Sequence, residues 1–220
     1  MKKLGVILAA VALFLGSASA SAQQFGGVRD YGYGYGRHIT FLGGGMTHFH
    51  AGLSPMTLTY KSNGIYTSKP GLSLDAGMAS MIPLAPAAPV YAEVGFGVQY
   101  STGKLAESTA LDYKANAFGI KVPVNFTYVL NFGPSVALMP YVGAGMLANI
   151  SGSVKVDSVK FDLYDDNSPV DGNRFVLGGQ VGCRLSVNRF LFGVGYERSI
   201  TNVAKHISAS QVAISLGVIL

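Results

Sequence analysis

Six charged side chains share the polar face of segments in which every second residue is apolar. Together they could fill an interior with ion pairs, or they could line a path for ions or protons. Pairing matters because an unpaired buried charge costs about 3–5 kcal/mol. We expect Glu93 to pair with Arg184 and Lys121 with Glu197. Such pairs predict an interior that is plugged and closed to ions. A gated conductance or a proton path is the alternative. The six residues, whose formal charges sum to zero, are Asp75, Glu93, Lys121, Arg174, Arg184 and Glu197.

Two histidines offer a second kind of chemistry. His48 and His50 lie two residues apart and therefore face the same side of a strand, as metal ligands can. The sequence places them at the outer end of the first of the predicted strands described below, and His206 would lie on the other side of the same end of the barrel. No carboxylate or cysteine lies near them in sequence, so we expect an interfacial polar pair and no metal.

A lipid-modifying barrel enzyme would need His, Ser and acidic residues at the outer rim. His48, Ser199 and Glu197 are conceivable, but no spacing selects them.

An acidic stretch at residues 162–173 is similar to a calcium-binding loop. It lacks the required ligand spacing and the closing glutamate, so a solvated turn is expected. We therefore predict no catalytic residues, no metal and no cofactor.

Eight segments show the two-residue period of a β-strand with one apolar face. The clearest runs from Val90 to Tyr100, where Glu93 and Gln99 lie on the polar face. The first segment is the least regular because Gly43, Gly44 and Gly45 blur its two faces. The segments are 38–49, 71–82, 90–100, 116–130, 135–150, 174–187, 190–200 and 211–220.

Connection lengths indicate how these strands are joined. The short links are 83–89, 131–134 and 188–189, and the long links are 50–70, 101–114, 151–173 and 202–208. Short periplasmic turns that alternate with long exterior loops are typical of outer-membrane barrels. The prediction is an all-β fold, an eight-stranded antiparallel up-and-down transmembrane β-barrel with both termini in the periplasm.

A soluble eight-stranded barrel with an apolar interior has the same period and is the alternative. Three features favour the membrane version. The polar face is rich in Gly and Ser, as a narrow lumen requires, whereas a soluble surface would carry many Lys and Glu; charged residues are only 12% of the chain. Charges within strands fall almost wholly on one parity. Aromatic residues lie on the apolar face near both strand ends, as headgroup girdles do: Tyr100, Phe118, Phe175, Tyr196, Tyr128, Phe190 and Phe192.

The start of the chain indicates export. Lys2 and Lys3 precede an apolar stretch and small residues, so residues 1–22 read as a secretory signal peptide, with cleavage after Ala22 or Ala20. Residues 23–37 form a Gly/Tyr-rich, flexible periplasmic lead-in, and residues 38–220 form the barrel domain. Removing the signal lowers the net charge of +5 by two. So small a surplus does not favour a nucleic-acid partner.

Two prolines interrupt the predicted strands. Pro123 and Pro140 each remove a backbone donor from the sheet. Counting back from the turn at 131–134 brings them to nearly the same level, which predicts a shared bulge.

Four short motifs resemble the PorT-like outer-membrane β-barrel family of Bacteroidetes, and the resemblance spans most of residues 38–220. It implies an eight-stranded barrel, sometimes attached to secretion or envelope assembly. This chain ends at Leu220, whereas the family commonly finishes on an aromatic residue that signals insertion by the barrel-assembly machinery. The matching motifs are KPGLSLDAG (69–77), KVPVNF (121–126), MPYVGAG (139–145) and VGYERSITN (194–202).

The expected function is therefore non-enzymatic. An outer-membrane barrel of a Gram-negative bacterium, with a filled lumen, would serve envelope structure or the docking of an envelope or secretion protein. Its expected partners are outer-membrane lipid, the barrel-assembly machinery during insertion, and such a protein. A barrel enzyme acting on outer-membrane lipid and a narrow gated channel are the alternatives. Lumenal capture of a small molecule requires that the glycine-rich rows leave a cavity.

Overall fold

The computed structural model describes residues 45–62, 65–84, 88–105, 113–156, 159–165, 168 and 170–220. The predicted signal peptide (1–22) and lead-in (23–37) lie outside these residues. Within them, no helix is long and apolar enough to cross a membrane. The strands are β1 (Met46–Ser62), β2 (Ile65–Pro83), β3 (Val90–Leu105), β4 (Tyr113–Tyr128), β5 (Leu130–Asn131), β6 (Val136–Val156), β7 (Val159–Asp162), β8 (Phe175–Val187), β9 (Phe190–Ser199) and β10 (Ile207–Ile219).

Eight of these strands close into a ring. Antiparallel pairs follow the chain from β1 to β4, β4 pairs with β6, and β6, β8, β9 and β10 follow until β10 pairs with β1. The short strands β5 and β7 both pair with β6. A closed ring leaves no unpaired strand edge in its wall. The predicted eight-stranded up-and-down barrel is confirmed.

The two ends of the barrel differ. The β2–β3, β4–β6 and β8–β9 connections lie at one end, here called the turn end, where β1 begins and β10 finishes. The β8–β9 turn has only two residues, and its Asn188 has a φ of 54°, a left-handed conformation that asparagine tolerates. The opposite end, called the loop end, carries the remaining connections.

An apolar band covers the outer face of the wall. On β4 its limits are Tyr128, opposite Val90, and Phe118, opposite Tyr100. The ten residue steps between these limits span about 33 Å along the strand, or about 25 Å across the wall at the tilt of roughly 40° usual in such barrels. That height equals the apolar band of outer-membrane barrels. The exposed side chains within the band include Val124, Phe126, Val142, Phe192, Val194, Ile214 and Leu216.

Beyond this band, towards the loop end, the polarity of the two faces inverts. On β1, Met56 and Leu58 are buried inside the barrel while Thr57 is exposed. On β6, Val154 is buried and Lys155 is exposed. This part of the barrel has the pattern of a water-soluble barrel, apolar inside and polar outside. The pattern of a membrane barrel and that of a soluble barrel, which the sequence analysis treated as alternatives, therefore occur in consecutive parts of the same wall.

The predicted first strand, 38–49, is wrong in its position. The strand starts at Met46 and continues to Ser62, so the predicted exterior loop 50–70 is a long β1–β2 hairpin. Residues 38–44 lie outside the described part of the chain. Only residues 63–64 separate β1 from β2. The strand was misplaced because its loop-end part has apolar residues inside and polar residues outside. A search for strands with an apolar outer face does not recognise that part as a strand.

Other predicted loops are also partly strand. Residues 101–105 extend β3, residues 113–114 begin β4, and residues 151–156 complete β6. Residues 159–162 form β7, and β10 already begins at Ile207. The strands extend because the wall continues past the apolar band into the loop end.

The predicted bulge shared by the two prolines is wrong. Pro123 lies opposite Gly145, five residues from Pro140, and Pro140 pairs with Cys183 in unbroken register. Around Pro123 the β3–β4 ladder lapses without a change of register, since proline has no N–H to donate. The bulge of this wall occurs at Ile150 of β6, where the register shifts between Phe118 and Gly119.

Two apolar clusters close the interior. The turn-end cluster consists of Met46, Met81, Tyr91, Val129, Ala137, Met139, Leu191 and Ile219. The loop-end cluster consists of Met56, Leu58, Tyr113, Ala115, Val154, Leu163, Val170, Ala204 and Ile207. Three residues of the loop-end cluster, Leu163, Val170 and Ala204, come from loops that lie over the barrel. Polar side chains occupy the space between the two clusters.

Candidate functional site

The first ion pair joins β3 to β8 across the lumen. Glu93 is 1% exposed, and Arg184 binds both of its carboxylate oxygens, with Nη2 2.8 Å from Oε1 and Nη1 in contact with Oε2. Asn125 donates to Oε1 at 2.9 Å, and Thr127 donates to Oε2 at 3.4 Å. Both oxygens of a buried carboxylate are thus satisfied, as a stable buried charge requires. The Arg184 guanidinium also lies 4.3 Å from the centroid of the Tyr141 ring.

The second pair joins β4 to β9. The Lys121 Nζ lies 2.5 Å from Glu197 Oε2, which also accepts a hydrogen bond of 2.8 Å from Gln211. Gln180 donates to Asn125 at 2.5 Å and so connects this region to the Glu93 pair. The structure therefore brings together both pairs named from the sequence.

Asp75 meets a histidine instead of a lysine or arginine. The His50 Nε2 lies 3.6 Å from Asp75 Oδ2. Gly52 lies directly opposite Asp75 on β1, and a Cβ there would lie 2.6 Å from Asp75 Oδ1. Glycine at this position leaves room for the carboxylate. We call these groups the ionic layer: Asp75, Glu93, Lys121, Arg184 and Glu197, with His48, His50, Asn125, Gln180 and Gln211.

The structure contradicts the predicted place of the histidines. His48 lies opposite Ala79 and Ile219 near the turn end, is 1% exposed, and its Nδ1 has no hydrogen-bond partner among the described residues. His50 lies two residues further along the strand, with the ring centroids 5.9 Å apart. His206 is at the opposite end, against Tyr60. The error follows from the misplaced first strand, which assigned these lumenal residues to the outer rim.

Arg174 is not part of the ionic layer. It is exposed, its guanidinium lies 4.8 Å from the centroid of the Tyr164 ring, and it donates to the carbonyl oxygen of Ile150 at 3.4 Å. The prediction that it belongs to the lumen network is wrong, because Arg174 precedes β8 and its guanidinium packs on Tyr164 at the loop end, away from the ion pairs.

Tyr141 of β6 lies across the lumenal face of β8 and β9. Its hydroxyl lies over two glycines of neighbouring strands, and a Cβ at Gly182 would lie 2.5 Å from it. A side chain at Gly195 would meet the same hydroxyl. These inward glycines therefore make space for one large ring beside the ion pairs. A cavity of about 70 Å³ remains among His50, Asp75, Lys121 and the ring of Tyr141.

A larger cavity of about 110 Å³ lies between the ionic layer and the loop-end cluster. Glu197 and Gln211 line it from the ionic side, and Leu163 and Tyr164 line it from the loop side. The glycine-rich rows thus leave the space that lumenal capture of a small molecule requires.

Other chemistry has little support in the geometry. Within the described ranges, no group of three or more His, Cys, Asp or Glu side chains is arranged to hold a metal ion. His48 and Ser199 lie near opposite ends of the barrel, so they cannot act together. In the acidic stretch 162–173, Asp162 Oδ1 accepts a hydrogen bond from the Tyr164 backbone at 2.9 Å, as in a turn. Residues 166, 167 and 169 of that stretch lie outside the described part.

Lysines form a row on the outer face near the loop end. Lys104 lies opposite Lys114, Lys114 opposite Lys155, and Lys155 opposite Lys160. All four are exposed. The nearest described carboxylate in register is Asp162, opposite Ser153. This row could not be predicted from the sequence, because its lysines lie in segments that were predicted as loops and so had no predicted partners across a strand.

No protein-family model matches the chain, and no curated protein matches it. The chain is similar to several solved structures. Neisserial surface protein A has a TM-score of 0.46 and 15% identity, covering 78% of this chain and 96% of that protein. Ail, the attachment invasion locus protein of Yersinia pestis, has a TM-score of 0.42 and 13% identity, covering 80% and 99%. The outer membrane enzyme PagL has a TM-score of 0.37 and 11% identity, covering 75% and 98%.

Proposed function

We propose that this protein is a non-enzymatic outer-membrane barrel of a Gram-negative bacterium. Its sealed interior suits a structural or docking role in the envelope. The observation that carries the proposal is the ionic layer enclosed between two apolar clusters. The turn end and both termini face the periplasm, because short turns are typical of that side. Membership of the PorT-like family, and the secretion role sometimes found there, belong to the same proposal.

The membrane location rests on the outer wall. Its large apolar side chains are exposed all round the ring, for example Phe126 at 61% and Leu216 at 60%. Soluble proteins rarely expose contiguous apolar patches of more than a few hundred Å². A band about 25 Å high that encloses a polar layer needs lipid around it.

The proposal of a closed lumen is supported by the side chains that an ion would have to displace to pass through it. At the turn end, Met139 is 0% exposed and Met81 is 1% exposed. Beyond them the Glu93–Arg184 pair occupies the path. Breaking a buried pair costs about 3–5 kcal/mol, before any dehydration of the ion.

A vesicle efflux assay tests the closed lumen. Phosphatidylcholine vesicles loaded with potassium and carrying the full chain should lose potassium no faster than empty vesicles. A general porin serves as the positive control, and gel migration of unheated samples shows that the chain is folded. Steady efflux above the empty-vesicle rate would refute the sealed barrel and favour the gated channel.

The absence of catalysis has its own test. Purified chain incubated with lipid A in detergent should leave the lipid unchanged by mass spectrometry. Loss of an acyl chain or a phosphate would instead show a lipid-modifying barrel enzyme.

The lysine row indicates which partner the outer surface fits. Directly opposite side chains on paired strands have Cβ atoms about 4.5–5.5 Å apart, and like charges at that spacing destabilise a sheet. Lys114 and Lys155 occupy such positions, and Lys160 continues the row. Lys114 lies four residues beyond Phe118, about 13 Å along the strand past the edge of the apolar band. At the tilt of roughly 40° this is about 10 Å above the band, and a lysine side chain can reach back from there to the headgroup region. We therefore infer that the row binds anionic lipid headgroups.

Vesicles of two compositions test this inference. The chain should resist urea better in vesicles containing lipid A than in pure phosphatidylcholine. Replacing Lys114 and Lys155 with Gln should remove that gain. A matched control replaces Lys61 and Lys205, which are exposed at the loop end but outside the row, and should keep it. An equal gain in both variants would refute the role of the row.

Docking of an envelope or secretion protein makes a separate prediction. Affinity purification of the full chain from native membranes should enrich one envelope protein above a control barrel. A purely structural barrel would enrich none.

A further inference from the structure

The cavity at the loop-end side of the ionic layer is larger than native packing usually leaves. Its volume is about 110 Å³, and most of its wall is apolar, including Met56, Leu58, Leu147 and Val176. Protein interiors rarely contain voids bigger than a water molecule. This space is larger than the cavity beside Tyr141 and more apolar in its lining, which indicates a site that holds an apolar ligand.

Small residues create the space. Five inward positions around it carry no side chain beyond a methyl group, although a packed core would place larger residues there. They are Gly103, Ala115, Ala117, Gly178 and Ala209. A Cβ at Gly178 would lie 3.4 Å from Glu197 Oε1, so the glycine leaves that oxygen accessible from the cavity.

Two polar groups of opposite character line the cavity. Glu197 accepts from Lys121 and Gln211 through Oε2, while Oε1 has no hydrogen-bond partner within the described part of the chain. The Tyr164 hydroxyl is buried and likewise has no partner there. Burial raises the pKa of Tyr164 to about 12, so the hydroxyl stays protonated at neutral pH and can donate. The cavity thus offers one acceptor and one donor within apolar walls.

We propose that this cavity binds a small apolar molecule carrying one hydroxyl group, a class that simple phenols represent. The ring contacts the aliphatic wall, and the hydroxyl donates to Glu197 Oε1 and accepts from Tyr164. A pocket with mostly apolar lining and a few convergent polar groups is the usual form of a small-molecule site. An engineered apolar cavity of about 150 Å³ holds one benzene, so the volume here limits the ligand to about a single ring.

Fluorine NMR of 4-fluorophenol tests the site in the full chain folded in phosphatidylcholine nanodiscs. Empty nanodiscs correct for partition of the probe into lipid. Binding should be saturable, with a Kd of about 1 mM as expected for so small a ligand. Ala209→Leu, which fills the cavity, should abolish binding, and Ala117→Leu provides a second filling variant if the first fails to fold.

A pair of probes tests recognition of the hydroxyl. Tyr164→Phe keeps the ring and lies in a loop, so the barrel stays intact. It should weaken 4-fluorophenol about fivefold, the effect of losing one neutral hydrogen bond, and leave fluorobenzene unchanged. Non-saturable uptake, or equal binding to a folded Ala209→Leu variant, would overturn the site. Equal weakening of both probes would overturn its preference for a hydroxyl. Neither outcome bears on the sealed lumen, which the efflux assay tests separately.

Discussion

Removing the cation of the most buried ion pair should destabilise the barrel severely. Arg184→Met keeps much of the side-chain volume but leaves Glu93, which is 1% exposed, with only the hydrogen bonds from Asn125 and Thr127. Breaking a buried pair in this way costs about 3–5 kcal/mol. At about 4 kcal/mol, the folded-to-unfolded ratio falls nearly a thousandfold.

A double variant separates the unpaired charge from lost packing. Glu93→Gln combined with Arg184→Met removes both charges, and the amide oxygen of the introduced glutamine can still accept from Asn125. The double variant should be more stable than Arg184→Met alone, by about 2 kcal/mol or more, since the desolvated charge is gone. Lys160→Met, on the exposed outer face, serves as the surface control and should change stability by less than about 0.5 kcal/mol.

Urea titration in phosphatidylcholine vesicles measures these differences. The chain contains no tryptophan, so the folded fraction is read from gel migration of unheated samples or from far-ultraviolet circular dichroism. If Arg184→Met unfolds within about 1 kcal/mol of the wild type, the pair is not buried as described. If the double variant is no more stable than the single one, the cost lies in packing and the charge argument fails.

Two further predictions concern packing and register. Gly182→Ala should cost about 1–3 kcal/mol in urea titration, because its Cβ would lie 2.5 Å from the Tyr141 hydroxyl and 2.6 Å from the Val194 carbonyl oxygen. Gly179→Ala, whose Cβ would contact only one side chain at 3.8 Å, should cost almost nothing. Equal effects would contradict the placement of the Tyr141 hydroxyl over Gly182. In a chain lacking its native cysteine, Ala51→Cys combined with Leu216→Cys should form a disulfide cross-link on oxidation, because the two positions are paired. A failure to cross-link would contradict the register of β1.

The sequence was most informative where lipid meets the wall. A strand alternates its faces with a period of two, so parity alone assigned the inward side of β2, β3, β8 and β9. The same parity put Glu93, Arg184, Lys121 and Glu197 on one face, and charge balance then suggested the pairs. Both steps depend only on local chemistry, and the structure brings the pairs together.

Parity failed where the solvent changes along a strand. Between Met56 and Tyr60 the apolar residues face inward and the threonines outward, the reverse of the pattern within the apolar band. A search for one constant pattern reads such a stretch as a loop. The signal was nevertheless present, as an unbroken two-residue period that inverts its polarity, in Met56-Thr57-Leu58-Thr59-Tyr60 and in Val154-Lys155-Val156.

The misplacement of His48 follows from the same cause. A strand assigned to 38–49 ends at the histidines, whereas a strand from Met46 to Ser62 begins there. Cavity formation was beyond sequence reasoning for a different reason. It depends on how small residues from several strands meet at one height, which only the complete register decides.

The central claim is that hydrocarbon surrounds the apolar band, and single-tryptophan quenching tests it most directly. Val124→Trp places the only tryptophan near the middle of the band, and Tyr66→Trp places it on the exposed loop-end hairpin. In vesicles with lipids brominated near the bilayer centre, the indole of the Val124→Trp variant should be strongly quenched and protected from aqueous iodide, while that of the Tyr66→Trp variant should show the reverse. Iodide quenching of the Val124→Trp variant in a folded, vesicle-associated chain would contradict the account.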